Sequence, residues 1–129
     1  MKKLFCLLLC SLLCTGLLAG CGGLSDKYDE EEAIAQAHAV IESLNAKDYD
    51  AVAATMNGEM KEVLPADKLA EVWEPIAGQL GAFDSFTRDA VAEKDGLAVV
   101  VVTSKYENGS LTYTISLDTG LQLCGLYMK

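Results

Sequence analysis

The sequence predicts an α+β domain in which N-terminal helices pack on a curved four-stranded antiparallel meander. Two observations support this fold class. Between residues 29 and 80, apolar residues recur at helical spacing, whereas beyond residue 82 apolar and polar residues alternate as they do in strands. Short turn sequences separate the strand-like segments, which favours a meander. Helices followed by strands are typical of the α+β class.

An export signal is predicted before this domain. Lys2 and Lys3 give a positively charged start, and an apolar run follows from Leu4 to Leu18. Such a segment directs secretion and is then removed, and this run is shorter than the roughly 20 residues that a membrane-spanning helix needs. We therefore expect a signal peptide over residues 1–20, an acylated cysteine and short tether over 21–28, and a single domain over 29–129.

The residues Leu18, Ala19, Gly20 and Cys21 resemble the bacterial lipobox. That resemblance implies cleavage between Gly20 and Cys21, with a diacylglyceryl group on the Cys21 thiol and palmitate as the attached fatty acid. The protein is then expected to be exported. Its lipid would hold it on the outer face of the cytoplasmic membrane, or on the outer membrane of a diderm cell. The alternative is an uncleaved membrane anchor in which Cys21 has no role.

Cysteine and charge counts restrict the mature domain further. Of the five cysteines, three leave with the signal and Cys21 is lipidated, so only Cys124 remains and no intramolecular disulfide can form. We expect Cys124 to be a buried packing thiol. Loss of Lys2 and Lys3 leaves eight basic against 19 acidic side chains, a net charge of about −11. This charge disfavours nucleic acid as a partner and predicts no basic face toward a membrane.

The first two helices are predicted from their start signals. Asp29 precedes an acidic first turn, with Glu32 at the spacing of a capping box. The apolar stripe of this first helix consists of Ile34, Ala37, Ile41 and Leu44. Asp48 is the predicted N-cap of a second, shorter helix. We expect that helix to stop at Asn57-Gly58, because glycine readily adopts the left-handed conformation after a helix.

One helical turn is predicted around Met60, and a longer helix from Ala66 to Leu80. Pro75 is expected to kink this helix or end its first half, since its ring removes a backbone donor and crowds the preceding turn. Trp73, the only tryptophan, lies in the middle of the apolar face. Core packing is the ordinary role of such a residue, and a pocket wall is the alternative.

Four strands are predicted after the helices. They cover Phe83 to Ala92, Leu97 to Tyr106, Leu111 to Leu117 and Leu121 to Tyr127, with turns at residues 93–96, 108–109 and 118–120. Asn108-Gly109 is a strong hairpin signal because both residues tolerate positive φ. The β-branched run from Val99 to Val102 predicts that the second strand is buried on both faces or nearly so.

A set of packing and turn positions carries a resemblance to a known family. These positions are Leu44 to Asp50, Met60-Lys61, Leu69, Trp73, Ile76, Gly81, Phe83, Phe86 and Gly125-Leu126. Over about Glu30 to Lys129 the sequence resembles the DUF 3887 family of bacterial envelope domains of unknown function. The resemblance implies a fold similar to that of nuclear transport factor 2, a curved sheet wrapped over helices as a cone. It informs fold more than function.

The leading functional hypothesis is a non-catalytic module that binds a small ligand or an envelope protein. Its candidate pocket walls are the concave side of the sheet and four side chains, Tyr49, Met56, Trp73 and Phe83. A second hypothesis is a scaffold with a filled core that forms a homodimer through the sheet. An open apolar cavity would favour the binding module, and a filled core would favour the scaffold.

The third hypothesis is a small acid–base enzyme of the isomerase or dehydratase type known among related cone folds. It requires a buried carboxylate beside a proton donor. Suitable residue types are present, but no spacing selects a pair among Asp50, Asp84, Asp89, Tyr49, Tyr106 and Tyr113. His38 is the only histidine, which excludes a catalytic triad and a multi-histidine metal site. We therefore predict no catalytic residue, metal or cofactor, and expect His38 to be a partly exposed residue at the edge of the first helix stripe.

Overall fold

A computed structural model describes residues 24–129, which form four helices packed against a four-stranded antiparallel sheet. The helices are α1 (Glu30–Asn45), α2 (Tyr49–Thr55), α3 (Gly58–Val63) and α4 (Ala66–Leu80). The strands are β1 (Phe83–Lys94), β2 (Leu97–Tyr106), β3 (Gly109–Leu117) and β4 (Leu123–Met128). The predicted α+β fold class is confirmed. The predicted signal peptide, the cleavage site at Gly20 and lipidation at Cys21 lie outside the described residues.

The two predicted helix starts are present as side-chain caps. Asp29 Oδ1 accepts a hydrogen bond from the Glu32 backbone N–H at 3.2 Å, and Asp48 Oδ1 accepts one from Ala51 at 3.2 Å. Each carboxylate thereby pairs a backbone donor that the helix itself leaves free. The buried side of α1 covers the sheet through contacts with β1 and β2. In the described chain, no helix is both long and apolar enough to cross a membrane.

The Asn57-Gly58 dipeptide does not end α2 as predicted, because it begins α3. α2 ends at Thr55, and Met56 has an extended backbone that bridges to Leu123 beside β4. Asn57 Oδ1 then accepts a hydrogen bond from the Met60 backbone N–H at 2.9 Å. Asparagine is a strong N-cap, so its side chain is used at a helix start rather than at a stop.

The predicted bounds of α4 are confirmed, but Pro75 does not end the helix, which runs through it. Proline frees the carbonyl four residues earlier from its intrahelical partner, and here both Pro75 and Glu71 are exposed to solvent. Water can therefore satisfy the freed carbonyl. The helix ends instead at Gly81, whose φ of 80° and ψ of −153° direct the chain into β1.

The strand order β1-β2-β3-β4 confirms the predicted meander. The β2–β3 turn is centred one residue earlier than predicted, because Tyr106 pairs with Gly109 and leaves Glu107 and Asn108 as the turn residues. The backbone N–H groups of Glu107 and Asn108 donate to the carbonyls of Ala82 and Leu80, both at 2.8 Å. These bonds tie the hairpin to the connection between α4 and β1, and they fix the turn at this register.

The sheet is covered on one face only, so the prediction that β2 is buried on both faces is wrong. Ala98, Val100 and Val102 are fully buried on the inner face, whereas Val99 and Val101 on the outer face are partly exposed. All four helices lie on the inner side of a single sheet, and no described element covers the other side. Two register shifts in β1 interrupt its pairing with β2, and such irregularities bend a strand.

The uncovered face carries three basic side chains, of which Lys105 is paired, because its Nζ lies 3.9 Å from Asp84 Oδ2. Arg88, Lys94 and Lys105 occupy the same face as Val99 and Val101, because the first two pair directly across from β2 residues of that face. The centre of the face is uncharged. The acidic excess of the chain therefore lies mainly elsewhere, including the first turn of α1.

The segment before α1 is part of the folded domain. The Ser25 backbone N–H donates to the Glu93 carboxylate at 2.9 Å, and Lys27 Nζ lies 3.9 Å from the same carboxylate. Hydrogen bonds from Ser25, with a smaller contribution from Lys27, hold the pKa of Glu93 below its usual range. Tyr28 is buried, and its hydroxyl donates to the Gly96 carbonyl at 2.6 Å. Much of the predicted tether is therefore bound beside the β1–β2 turn.

Candidate functional site

Two neighbouring cavities open on the helical side of the domain. The main cavity, of about 260 Å³, is lined by Asn45, Lys47, Trp73, Glu74, Ala77, Gly78, Gly81, Ala82, Phe83 and Tyr106. The side cavity, of about 240 Å³, is lined by Lys47, Tyr49, Asp50, Ala66, Asp67 and Ala70. Lys47 contributes to both. The main cavity thus lies where the end of α1, the second half of α4 and the adjoining ends of β1 and β2 meet.

The four predicted pocket walls are not brought together in one site. Trp73 and Phe83 line the main cavity, and Tyr49 lines the side cavity. Met56 is fully buried and lines neither cavity. Met56 directly follows α2 and bridges to Leu123. This path of the chain directs the Met56 side chain into the core. The inner face of the sheet likewise contributes only its β1 and β2 ends to the main cavity.

Aromatic rings form the inner wall of the main cavity. Trp73, on the buried side of α4, is 1% exposed. Its ring centroid lies 6.5 Å from that of Tyr106 and 6.2 Å from that of Tyr113. Phe83 meets Tyr106 edge-on at 5.5 Å. Such tilted contacts match the favoured geometry of aromatic pairs, so this wall is held by packing from α4, β1, β2 and β3.

A chain of hydrogen bonds runs from Tyr113 through Tyr106 to the Asn45 amide. Burial raises the pKa of both Tyr106 and Tyr113, so both hydroxyls keep their protons at neutral pH. The two hydroxyls are bonded to each other, and Tyr106 also donates to Asn45 Oδ1 at 2.8 Å. Since a hydroxyl has one proton to donate, Tyr113 donates to Tyr106 and Tyr106 to Asn45. The Asn45 oxygen is thereby occupied, and its NH₂ group is left as a donor.

Two buried donors of the cavity lining have no hydrogen-bond partner within residues 24–129. They are the Asn45 Nδ2 amide and the Trp73 Nε1 indole group. An unpaired buried donor costs about 1–3 kcal/mol, and most such groups in folded proteins have a partner. Each of these two atoms has less than 1 Å² of accessible surface, so neither is open to the cavity that its residue lines. Ser104 Oγ is also unpaired but does not belong to the lining.

The mouth of the main cavity combines opposite charges with unusual backbone conformations. Lys47 and Glu74 are both exposed there, and Glu74 Oε2 accepts a hydrogen bond from the Tyr49 hydroxyl at 3.1 Å. Lys47 has a φ of 60°, and Gly81 has a φ of 80°. Each follows the end of a helix, α1 for Lys47 and α4 for Gly81, where a residue of positive φ is a common way to end the helix.

His38 makes a pair that the sequence did not predict, away from both cavities. Its Nε2 lies 2.8 Å from Asp89 Oδ1, and its ring stacks on Phe86 at a centroid distance of 3.9 Å. His38 is partly exposed, as expected at the edge of the α1 stripe. The pair links α1 to β1, and neither residue belongs to the lining of the main or side cavity.

Cys124 is partly buried rather than fully buried as expected. Its sulfur accepts a hydrogen bond from Asn57 Nδ2 at 3.4 Å, and burial raises the pKa of the thiol. A raised pKa lowers the thiolate fraction at neutral pH and with it the reactivity of the thiol. Over residues 24–129, no group of three or more His, Cys, Asp or Glu side chains is placed to hold a metal ion.

Comparisons with known proteins place the domain in a family. The fold and cavity define a small α+β domain with an open cleft between its helices and one end of its sheet. The chain belongs to the family described as "Protein of unknown function (DUF3887)", whose model matches residues 37–126. The fold is similar to the NMR structure of a protein from Ruminococcus gnavus ATCC 29149, with a TM-score of 0.70. Sequence identity to it is 24%, over 81% of this chain and 95% of that one. No match was found among curated proteins.

Sequence reasoning identified two walls of the main cavity but not its polar groups. Tyr106 was one of several tyrosines and aspartates with suitable chemistry, and Asn45 was only part of the break after the first helix. The structure brings Asn45, at the last residue of α1, next to Tyr106, at the last residue of β2. No local pattern encodes a contact between residues 61 positions apart.

Proposed function

We propose that this protein is a lipid-anchored envelope protein whose domain binds a small ligand in the main cavity without chemical turnover. The open main cavity of about 260 Å³, with Trp73, Phe83 and Tyr106 in its lining, carries the binding part of this proposal. Concave sites lined by aromatic side chains and a few polar groups are typical of small-ligand binding. The lipobox-like sequence ending at Cys21 supports the anchor.

The other functions have less support from the geometry. The acid–base enzyme requires a buried carboxylate inside a cavity, but Glu74, the carboxylate lining the main cavity, is exposed. The scaffold hypothesis offers no role for the open cleft of about 260 Å³, which lies at the edge of a filled core.

Ligand binding is tested by the thermal stability of the full chain in detergent against a panel of envelope metabolites and muropeptide fragments. A ligand at 100 times its dissociation constant adds about 2.7 kcal/mol to the free energy of unfolding. Gly78 lines the main cavity, and a Cβ added there meets no atom within 4 Å, so a larger side chain fits without displacing its neighbours. A Gly78→Leu variant is therefore expected to block the cavity mouth and to abolish this gain. The matched Gln79→Leu variant changes an exposed neighbour outside the lining and retains it. A flat panel, or equal gains in both variants, contradicts the proposed site.

The anchor is tested separately by labelling cells that express the protein with a clickable palmitate analogue. We expect label in the wild-type protein and in Cys14→Ser, and none in Cys21→Ser, because only Cys21 occupies the lipobox position. Membrane fractionation of the same cells reports localisation. Label that persists in Cys21→Ser rules out lipidation at this residue.

A further inference from the structure

A row of side chains on β1 connects His38 to the wall of the main cavity. We infer that the charge of His38 sets how firmly the Phe83 ring is held in that wall, and that this makes ligand binding in the cavity depend on pH. His38 and Asp89 are then positioning residues, which act on the site from outside its lining. The inference rests on the proposed binding function and adds a means of regulation to it.

The row exists because β1 is irregular. In a regular strand, residues three positions apart point to opposite faces of the sheet. β1 has two register shifts between Phe83 and Asp89, and each adds one residue to the strand. Phe83, Phe86 and Asp89 therefore pair in turn with buried inner-face residues of β2, which are Tyr106, Ser104 and Val102. Bulges of this kind re-aim side chains and are frequent beside functional sites.

The contacts along this row are continuous. His38 Nε2 lies 2.8 Å from Asp89 Oδ1, and the His38 ring stacks on Phe86 with centroids 3.9 Å apart and planes 16° apart. The Phe86 centroid lies 5.1 Å from that of Phe83. Phe83 in turn lines the main cavity and contacts Tyr106 at 5.5 Å. A change at His38 therefore reaches the cavity wall through one intervening ring, which is the kind of packed path that carries coupling between sites.

His38 is the member of this row that changes charge near neutral pH. Histidine is the side chain whose ordinary pKa lies between pH 5 and 8, and His38 is the only histidine in the sequence. As a neutral imidazole it makes a hydrogen bond to Asp89 and a stacking contact with Phe86. As an imidazolium it makes an ion pair and a cation–π contact at the same two places, and both are stronger. Protonation thus holds Phe86, and through it Phe83, more firmly.

Asp89 is the charged group that faces His38 from β1. One turn along α1, Glu42 is exposed to solvent, and the β2 residues opposite, Val102 and Ser104, carry no charge. The other titratable or charged groups of the elements packed against α1 have partners or positions elsewhere. Glu93 binds residues 25–27, Lys105 pairs with Asp84, Arg88 and Lys94 lie on the uncovered face, Tyr106 bonds Asn45, and Tyr49 and Asp50 line the side cavity.

The first step of the test needs no ligand. The full chain is labelled with 4-fluorophenylalanine and purified in detergent, and its ¹⁹F spectrum is recorded from pH 5 to 8. The sequence contains three phenylalanines, so Phe83→Leu and Phe86→Leu variants assign the two signals of the row. We expect the Phe86 and Phe83 signals to move with one shared midpoint.

Variants assign this titration to His38. His38→Gln retains a hydrogen-bond donor for Asp89 but cannot gain a charge in this range, so both signals should stay fixed from pH 5 to 8. Asp89→Asn removes the ion pair and should reduce the response of Phe83. Glu42→Gln is the matched control, because it removes a charge one turn away on the same helix and should leave both responses unchanged.

The second step measures binding with benzyl alcohol, an aromatic probe that stays uncharged from pH 5 to 8. Its dissociation constant is read from the Phe83 signal at pH 5.5 and at pH 8. We expect binding to be about two- to fivefold tighter at pH 5.5, the ratio that a cation–π contact at a partly exposed site supports. In His38→Gln the two constants should be equal.

The outcomes separate the inference from the proposed function. A Phe83 signal that does not respond to pH, or that titrates equally in His38→Gln, overturns the inference and leaves the binding function standing. Equal affinities at pH 5.5 and pH 8 in the wild-type protein also overturn it, even if the Phe83 signal titrates. If neither benzyl alcohol nor any member of the metabolite panel binds at either pH, both the proposed function and the inference fail.

Discussion

Gly81 holds a backbone conformation that side chains with a Cβ rarely adopt. Its φ of 80° and ψ of −153° lie in a region that is almost exclusive to glycine. A Cβ at this position would also lie 2.7 Å from Glu107 Oε1 and 3.0 Å from Glu107 Cβ. This one residue ends α4, starts the path into β1 and lines the main cavity.

Replacement of Gly81 by alanine is predicted to lower the free energy of unfolding by about 1–3 kcal/mol, the cost of forcing a side chain into that backbone region. Gly78 provides the matched control. It lies inside α4, and an added Cβ meets no atom within 4 Å. Gly78→Ala should therefore raise stability by about 0.5–1 kcal/mol. Urea unfolding of both variants measures the difference, and equal stabilities would contradict this account of Gly81.

At the scale of elements, the segment between α2 and α3 joins the helical layer to the edge of the sheet. Met56 bridges to Leu123, and the Asn57 backbone N–H donates to the Leu123 carbonyl at 3.0 Å. The Asn57 side chain caps α3 and also contacts the Cys124 sulfur. A short helix of six residues is marginal by itself, so α3 depends on this cap and on its contact with β4.

Loss of the Asn57 cap is predicted to destabilise the domain. Asn57→Ala removes the acceptor for the Met60 N–H and should cost about 0.5–2 kcal/mol, the usual range for a lost N-cap. Asn57→Asp retains a capping oxygen and loses only the contact with Cys124, so its cost should be smaller. Urea denaturation ranks the two variants. A larger loss in Asn57→Asp would show that the sulfur contact, rather than the cap, holds this segment.

The helices and strands were predictable because the apolar residues that they bury recur in the sequence at the period of a helix or of a strand. The helical stripe predicted α4 from Ala66 to Leu80. Alternation predicted β1 and β3, the β-branched run predicted β2, and the turn at residues 118–120 marked the start of the last strand. Choices decided by neighbouring elements were not predictable. Asn57 became a cap because the chain turns toward Leu123, and the β2–β3 turn moved one residue because Leu80 and Ala82 accept its N–H groups. Val99 and Val101 are partly exposed because the helices cover only the other face of the sheet, and the sequence of β2 alone does not show how many of its faces are covered.

At the scale of the whole molecule, a buried polar chain joins the helices to the sheet. Asn45 on α1, Tyr106 on β2 and Tyr113 on β3 are linked by hydrogen bonds, and Trp73 on α4 packs against both tyrosines. The sequence predicted the aromatic wall in part, since Trp73 and Phe83 lie on apolar faces. It did not predict the donors, because the orientation of Asn45 is set only when the layers meet.

Alkaline pH is predicted to destabilise the domain. In an unfolded chain a tyrosine ionises near pH 10, whereas burial raises the pKa of Tyr106 and Tyr113 in the folded protein. The unfolded state therefore loses its protons first, so stability is full below pH 10 and falls as the pH rises above it. At one pH unit above 10, each tyrosine that stays protonated lowers the free energy of unfolding by about 1.4 kcal/mol.

Urea unfolding between pH 8 and 11, with tyrosinate absorbance recorded in parallel, measures this dependence. A Tyr113→Phe variant lacks one of the two hydroxyls and should show a shallower loss of stability with pH. Ionisation of all five tyrosines while the near-ultraviolet circular dichroism remains native would contradict the assignment.

The attachment of residues 25–28 beside the β1–β2 turn has a consequence for orientation in the envelope. If Cys21 carries the proposed lipid, three residue steps separate it from Leu24, which packs on the core, a reach of about 11 Å at roughly 3.6 Å per residue. The β1–β2 hairpin, with Lys94, would then be the part of the domain nearest the lipid. The ten residues of β2 span about 33 Å from this turn to Tyr106. The main cavity would thus lie at the end of the domain remote from its anchor.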